Sequence, residues 1–214
     1  GGSFENIDEN EVDGVIFSKA DVTLNGTGSL VINSPDGHGI ASKDDLKFTG
    51  GKYKIEAGSH GLSANDILGI ADGEFMIVSG EDSVHCDMNI YISDGLFEIQ
   101  AQDDAVHADE TLMICGGSIH IVNSYEGLEA LDIEVSGGEI QIVASDDGLN
   151  AAGGTDNSGF GGMGNDQFGG SGGKGGRPEG QGGRPGGQGI GFGGMQSGSS
   201  EGSIVITGGT LYIK

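Results

Sequence analysis

Basic residues are scarce in this chain. Nine lysines and arginines stand against 33 aspartates and glutamates, a formal charge of -24. A surface of that sign repels phosphate backbones and anionic lipid, which argues against nucleic acid and membrane surfaces as partners. Tryptophan is absent and only 3 prolines occur, so neither a large aromatic platform nor a proline-rich linker is built in. No window approaches the roughly 18 apolar residues of a membrane-spanning helix, and no membrane insertion is expected. The opening "GGS" reads as a trimmed end without a secretory leader, so it says nothing direct about export. The 2 cysteines, Cys86 and Cys115, are too few for a zinc site or a disulfide framework. They read as two buried free thiols or as one bridge.

Glycine is abundant instead, 46 residues of 214, and the charge is unevenly spread. No lysine or arginine occurs from Ile55 to Gly173, while acids recur throughout that span. Self-repulsion on this scale calls for counter-ions, and hard cations with oxygen ligands are the natural ones.

The acids recur because the chain repeats. "GGKYKIEAGSHGLSAND" from Gly50, "DGEFMIVSGEDSVHCDM" from Asp72, "DGLFEIQAQDDAVHADE" from Asp94 and "GGSIHIVNSYEGLEALD" from Gly116 align without a gap at a period of 22 residues. "GGEIQIVASDDGLNAAG" from Gly137 follows one residue early. Each unit holds three short alternating strands separated by glycine or polar bends, and no helical period appears. That pattern predicts an all-β parallel β-helix of about seven to eight coils of ~22 residues. Equivalent positions then stack about one strand spacing apart, ~4.8 Å. Tyr53, Phe75, Phe97, Ile119, Ile140 and Leu211 form one inward ladder, and Ile55, Ile77, Ile99, Ile121, Ile142 and Ile213 the next. A third runs through Ile40, Leu62, Val84, Val106, Leu128 and Leu149, followed by the small column Ser42, Ala64, Cys86, Ala108, Ala130 and Ala151.

Residues 1–151 carry these coils. The repeat breaks at 152, and 152–202 is so rich in glycine and poor in apolar side chains that it reads as a flexible insertion or a mobile flap over a ligand surface. "SIVITGGTLYIK" at 203–214 then resumes the coil by matching "DLKFTGGKYKIE". The last coil stops inside a strand at Lys214, and an open terminal edge predicts either a monomer or end-to-end association.

One bend concentrates the acids. Its column reads Asp13, His38, His60, Asp82, Asp104, Glu126, Asp147, with Glu81, Asp103 and Asp146 standing in front. Farther along the coil an outward column contains Asp87 and Asp109, flanked by His85 and His107. Stacked carboxylates raise one another's pKa unless a cation sits between them, and calcium, Ca2+, takes six to eight oxygens in flexible geometry. Solvated turns are the bland alternative, since Asp and Gly favour turns for local reasons. Matching Asp-Asp pairs in "QDDAV" and "SDDGL", echoed in "GEDSV", favour the cation.

These bends on 22-residue coils, with a glycine-rich insertion before a final "ITGGTLYI", resemble the secreted carbohydrate-binding domain family of clostridial and other Gram-positive bacteria. The resemblance implies a right-handed parallel β-helix similar to family nine pectate lyases, an extracellular or cell-surface location, calcium along the bends, and affinity for cellulose and acidic plant cell-wall sugars. Carried over residue by residue, one calcium set is Asp103 and Asp104 with His107 and the preceding coil's Asp82. A second is Asp146 and Asp147 with Asn150 and Glu126. His107 and Asn150 depart from the acid expected in the third place, which leaves Asp109, Glu129 or backbone carbonyls to complete the sites. Asp87 joins the metal candidates through the outward column.

A lyase of this kind needs a cationic base beside the metal to take the proton alpha to a uronate carboxylate. No lysine or arginine stands in the neighbouring coils. A glycosidase needs one selected carboxylate pair, whereas here every coil carries acids. Calcium-dependent, non-catalytic binding of an acidic, polygalacturonate-like polysaccharide is therefore the leading expectation, with cellulose as a further ligand and Tyr91 and Tyr125 as candidate sugar contacts. A pectate lyase and a purely structural cell-surface solenoid are the alternatives.

Overall fold

The alternating segments and glycine corners form a parallel β-solenoid without helix, in a computed structural model that describes residues 12–151 and 202–214. Every strand pairing among them is parallel, and the strands join in one continuous 17-stranded sheet. Each turn presents three faces. The first begins with Gly14–Ser18 and His38–Ser42 and continues through Leu62–Ala64, Val84–Cys86 and the leading halves of Val106–Ile114 and Leu128–Val135 to Leu149–Asn150. The second runs from Val22–Leu24 to Ser203–Ile206, and the third from Ser29–Ser34 to Thr210–Ile213.

Seven rungs stack on each face, spanning about six turns of about 22 residues, the parallel solenoid with the repeat the sequence predicts.

The predicted ladders are the observed registers. Tyr53 pairs with Phe75, Phe75 with Phe97, Phe97 with Ile119 and Ile119 with Ile140. The three rings stack at centroid separations of 4.9 and 4.8 Å. Ile55, Ile77, Ile99 and Ile121 are fully buried, and so are Ile40, Leu62, Val84, Val106 and Leu128. Parallel strands covered on their inner side read as dense aliphatic columns because a flat rung of like side chains packs on the next with no change of shape. Leu211 is only half-buried and Ile213 exposed, since no described rung stacks beyond them.

The corner between the second and third faces needs glycine for a conformational reason. Gly73 and Gly95 adopt φ of +147° and +128°, and a side chain on Gly73 would meet the Phe75 ring at 2.7 Å. The preceding aspartates fasten the turn. Gly73 N–H donates to Asp72 Oδ1 and Gly95 N–H to Asp94 Oδ1, each at 2.8 Å.

Ser203–Ile206 pairs directly with Asp132–Val135, so the coil resumes where the match to "DLKFTGGKYKIE" predicted. The glycine-rich insertion at 152–202, apart from its last residue, lies outside the described residues. Cys86 and Cys115 are both free; Cys86 is buried as expected, but Cys115 is exposed. It falls on the corner before Gly116 and Gly117, where the chain turns outward, and not on an inward column.

Candidate functional site

The acidic residues gather at the corner between the third and first faces. There the backbone of each coil is tied to the next: Gly61 N–H donates to Asp82 O, Ser83 N–H to Asp104 O, and Ala105 N–H to Glu126 O, each at 3.0 Å. The column His60, Asp82, Asp104, Glu126, Asp147 is therefore a true stack. Asp13 falls out of it, since Gly14, not Asp13, is in register with His38. The residue after each stacked acid is small because the coils approach closely. A side chain on Gly61 would meet Ser83 O at 2.6 Å, and one on Gly127 would meet Gly148 O at 2.4 Å.

A second column stands beside the first. Ser63, His85, His107, Glu129 and Asn150 are in register on the first face, each one residue past the core aliphatic. Three-residue spacing joins the columns within a coil. His85 Nδ1 lies 2.9 Å from Asp82 Oδ2, and His107 Nδ1 lies 3.2 Å from Asp104 Oδ2. The other ring nitrogens meet the outward acids: His85 Nε2 is 3.2 Å from Asp87 Oδ1, and His107 Nε2 is 3.1 Å from Asp109 Oδ1. His38, His60, His85 and His107 form a continuous ring stack with centroid separations of 4.9, 4.3 and 5.2 Å. Although they flank an outward column, His85 and His107 are largely covered. The His85 and His107 side chains are 20% and 14% exposed.

Some of these groups also hold the backbone. His38 Nδ1 accepts the His60 N–H and His60 Nδ1 accepts the Asp82 N–H, both at 3.2 Å. Asp82 Oδ1 accepts the Asp104 N–H at 2.9 Å. The bland reading of the column as turn chemistry is thus partly true, and a fully solvated bend is not what is found, because Asp82, Asp104, Glu126 and Glu129 are buried.

Burial and charge pull the titrations apart. Burial opposes ionisation of His85, but its bonds to Asp82 and Asp87 prevail and raise its pKa to about 9. Burial likewise opposes His107, and the hydrogen bonds it donates to Asp104, Asp109 and Glu129 lift it well above the usual histidine value. Burial, then the charges of His85 and His38, holds His60 well below that value. Burial resists the charge on Asp82, yet His85 keeps its pKa below the ordinary carboxylate value. Glu129 moves the other way. Burial and the neighbouring Asp104 outweigh His107 and raise it to about 8.

Of the first carried-over calcium set, Asp82, Asp103 and Asp104 come together, with oxygens within 4.8 Å of one another, while His107 groups instead with Asp104 and Glu129. Three carboxylates give the all-oxygen anionic donor set calcium takes, and Asp104 Oδ1 is buried without a hydrogen-bond partner. In the second set Asn150 Nδ2 donates to Glu126 Oε2 at 2.8 Å, but Asp146 and Asp147 do not join Glu126 in a comparably tight group. Asp87 and Asp109 are placed behind the histidines and not on the Asp103 side.

The candidate sugar contacts separate. Tyr91 is exposed, but on the second face, paired in register with Met113 and away from the corner. Tyr125 is at the corner, half-buried, with its hydroxyl pKa pushed up by the Asp146 carboxylate it hydrogen-bonds. Tyr212, 57% exposed on the third face, was not singled out from the sequence. Its outward parity against Leu211 and Ile213 was the available signal. The role of His85 was equally readable from its i, i+3 spacing to Asp82, whereas Glu129, expected only to complete a calcium site, is brought to His107 of the preceding coil.

No solved structure matches the chain significantly. A curated relative from Acetivibrio thermocellus, described as a carbohydrate-binding domain-containing protein, is 37% identical over 54 residues. That match covers 25% of this chain and 19% of the relative, so the chain spans about a fifth of its length. The family model of the carbohydrate-binding domain-containing proteins matches residues 1–163, which include the whole acidic corner. The chain therefore belongs to the carbohydrate-binding domain-containing protein family.

Proposed function

We propose that this protein binds an acidic polysaccharide of the polygalacturonate class without cleaving it, through calcium held by Asp82, Asp103 and Asp104. The observations that carry the reading are that oxygens of these three carboxylates lie within 4.8 Å of one another and that Asp104 keeps one oxygen, Oδ1, buried without a hydrogen-bond partner. A chain of charge -24 attracts an anionic sugar only where a cation intervenes, and calcium on three protein carboxylates keeps coordination positions for uronate oxygens. Family membership supports a carbohydrate as the ligand. Lys47, Lys52 and Lys54 pair with Asp45, Glu74 and Glu56, on other parts of the coil, and the stretch from Ile55 to Ala151 that carries Asp82, Asp103 and Asp104 contains no lysine or arginine of the kind a lyase uses as base.

Titration of polygalacturonate with and without a calcium chelator, while following ultraviolet absorbance for unsaturated product, tests this reading. Binding that disappears with chelation and yields no product is expected. Product formation would convert the reading to a lyase, and binding unchanged in chelator would remove calcium from it. Retention on cellulose in chelator would point to a neutral glucan instead.

A further inference from the structure

On the inner side of the same corner, two buried carboxylates converge on one imidazole. His107 Nδ1 lies 3.2 Å from Asp104 Oδ2 and 3.0 Å from Glu129 Oε2. Asp104 is 5% exposed and Glu129 1%. Each keeps one oxygen, Asp104 Oδ1 and Glu129 Oε1, shut away from solvent with no hydrogen-bond partner. A single ring nitrogen leaves these two oxygens unserved; in the metal-free protein a proton on Glu129 limits the repulsion, and a divalent cation that displaces it would take both carboxylates. Behind the ring, His107 Nε2 meets Asp109 Oδ1 at 3.1 Å. An imidazole that faces its ligands with one nitrogen and is held by a carboxylate at the other is the arrangement of metal-bound histidine.

We propose that Asp104, His107 and Glu129 form a mixed nitrogen–oxygen site for a first-row divalent transition ion of the zinc class, separate from the all-oxygen calcium set. The three donors already lie within 4.8 Å of one another. An imidazole nitrogen in the donor set favours zinc or cobalt over calcium, which takes oxygen. Asp104 belongs to both sets and bridges them.

The neighbouring group, His60, Asp82 and His85, has two histidines and a single acid, and none of its atoms is left buried without a hydrogen-bond partner. His60 Nδ1 accepts the Asp82 N–H, Asp82 Oδ1 accepts the Asp104 N–H, and Asp82 Oδ2 is occupied by His85. Glu129 makes the difference: the coil after His107 supplies a carboxylate in the register position where the coil after His85 supplies His107.

The test uses the full 214-residue chain, stripped with chelator, then saturated with calcium and titrated with cobalt(II) or zinc(II). Expected are one equivalent of cobalt with visible ligand-field bands and a shifted His107 Nδ1 resonance. Glu129→Gln should weaken that binding at least about tenfold and Asp109→Asn about ten- to a hundredfold, while Asp103→Asn weakens calcium alone. Cobalt displaced by calcium, lost in Asp103→Asn and retained in Glu129→Gln, would show a single calcium site and overturn the proposal. Absence of cobalt and zinc binding would overturn it too, leaving a proton between Asp104 and Glu129. Should Glu129→Gln fail to fold, the His107 resonance of the unsubstituted chain decides by itself. Because Asp103→Asn and Glu129→Gln separate the two ions, failure of the calcium reading is distinguishable from failure of this one.

Discussion

At the scale of single residues, the corner combines groups whose protonation is linked to folding. His85, with its pKa near 9, stabilises the fold fully below the unfolded histidine value and loses that contribution as pH rises through 9. Glu129, raised to about 8, has the same sign, because the folded state favours its protonated form and deprotonation is resisted. His107, also raised, acts in the same direction. His60 and Asp82 are shifted downward and act below their unfolded values, so they do not oppose this trend above about pH 6.5. The metal-free protein should therefore lose on the order of a few kcal/mol between pH 6.5 and 9. Denaturant unfolding in chelator across that range is the measurement, and stability that rises toward pH 9 would contradict the network. Asp103→Asn should leave this profile in place and lower calcium affinity at least about tenfold, read by calorimetry.

At the scale of the element, the rung is the unit that folds and the corner is what closes it. Ile99 is fully buried between Ile77 and Ile121, and truncation there leaves a void that neighbouring rungs cannot fill. Ile99→Ala should cost about 2–5 kcal/mol. Gly95 is constrained differently. At a φ of +128°, with the Phe97 ring 3.0 Å from where a side chain would begin, Gly95→Ala should destabilise by about 1–3 kcal/mol although it removes no contact. Thermal or chemical unfolding checks both, and a neutral Gly95→Ala would show that the corner relaxes more readily than its geometry implies. Strand positions, inward columns and these corners were all visible in the sequence, because a 22-residue repeat fixes register without reference to anything distant. Cys115 was not placed correctly, since the corner it occupies turns a residue outward without breaking the strand pattern around it.

At the scale of the whole molecule, stacking coils of like charge turns local turn chemistry into a long-range repulsion. Calcium bound only by the folded chain should raise its stability by about 2.7 kcal/mol at a hundredfold excess over the dissociation constant. A melting temperature that climbs with calcium and falls on chelation is expected, and one indifferent to calcium would leave the corner as charged turns. The repeat, the three-faced solenoid, the inward ladders and the gathering of Asp82, Asp103 and Asp104 were determined by the order of residues alone, since each depends on a period that can be counted. What the tertiary structure decided is which faces of those side chains are sealed from water. Burial made His85 and His107 inner partners rather than surface groups, paired Tyr125 with Asp146, and left Asp104 and Glu129 each with an oxygen unsatisfied. Those outcomes come from how closely one coil sits on the next, and a one-dimensional pattern records the neighbours in a column but not the space between columns.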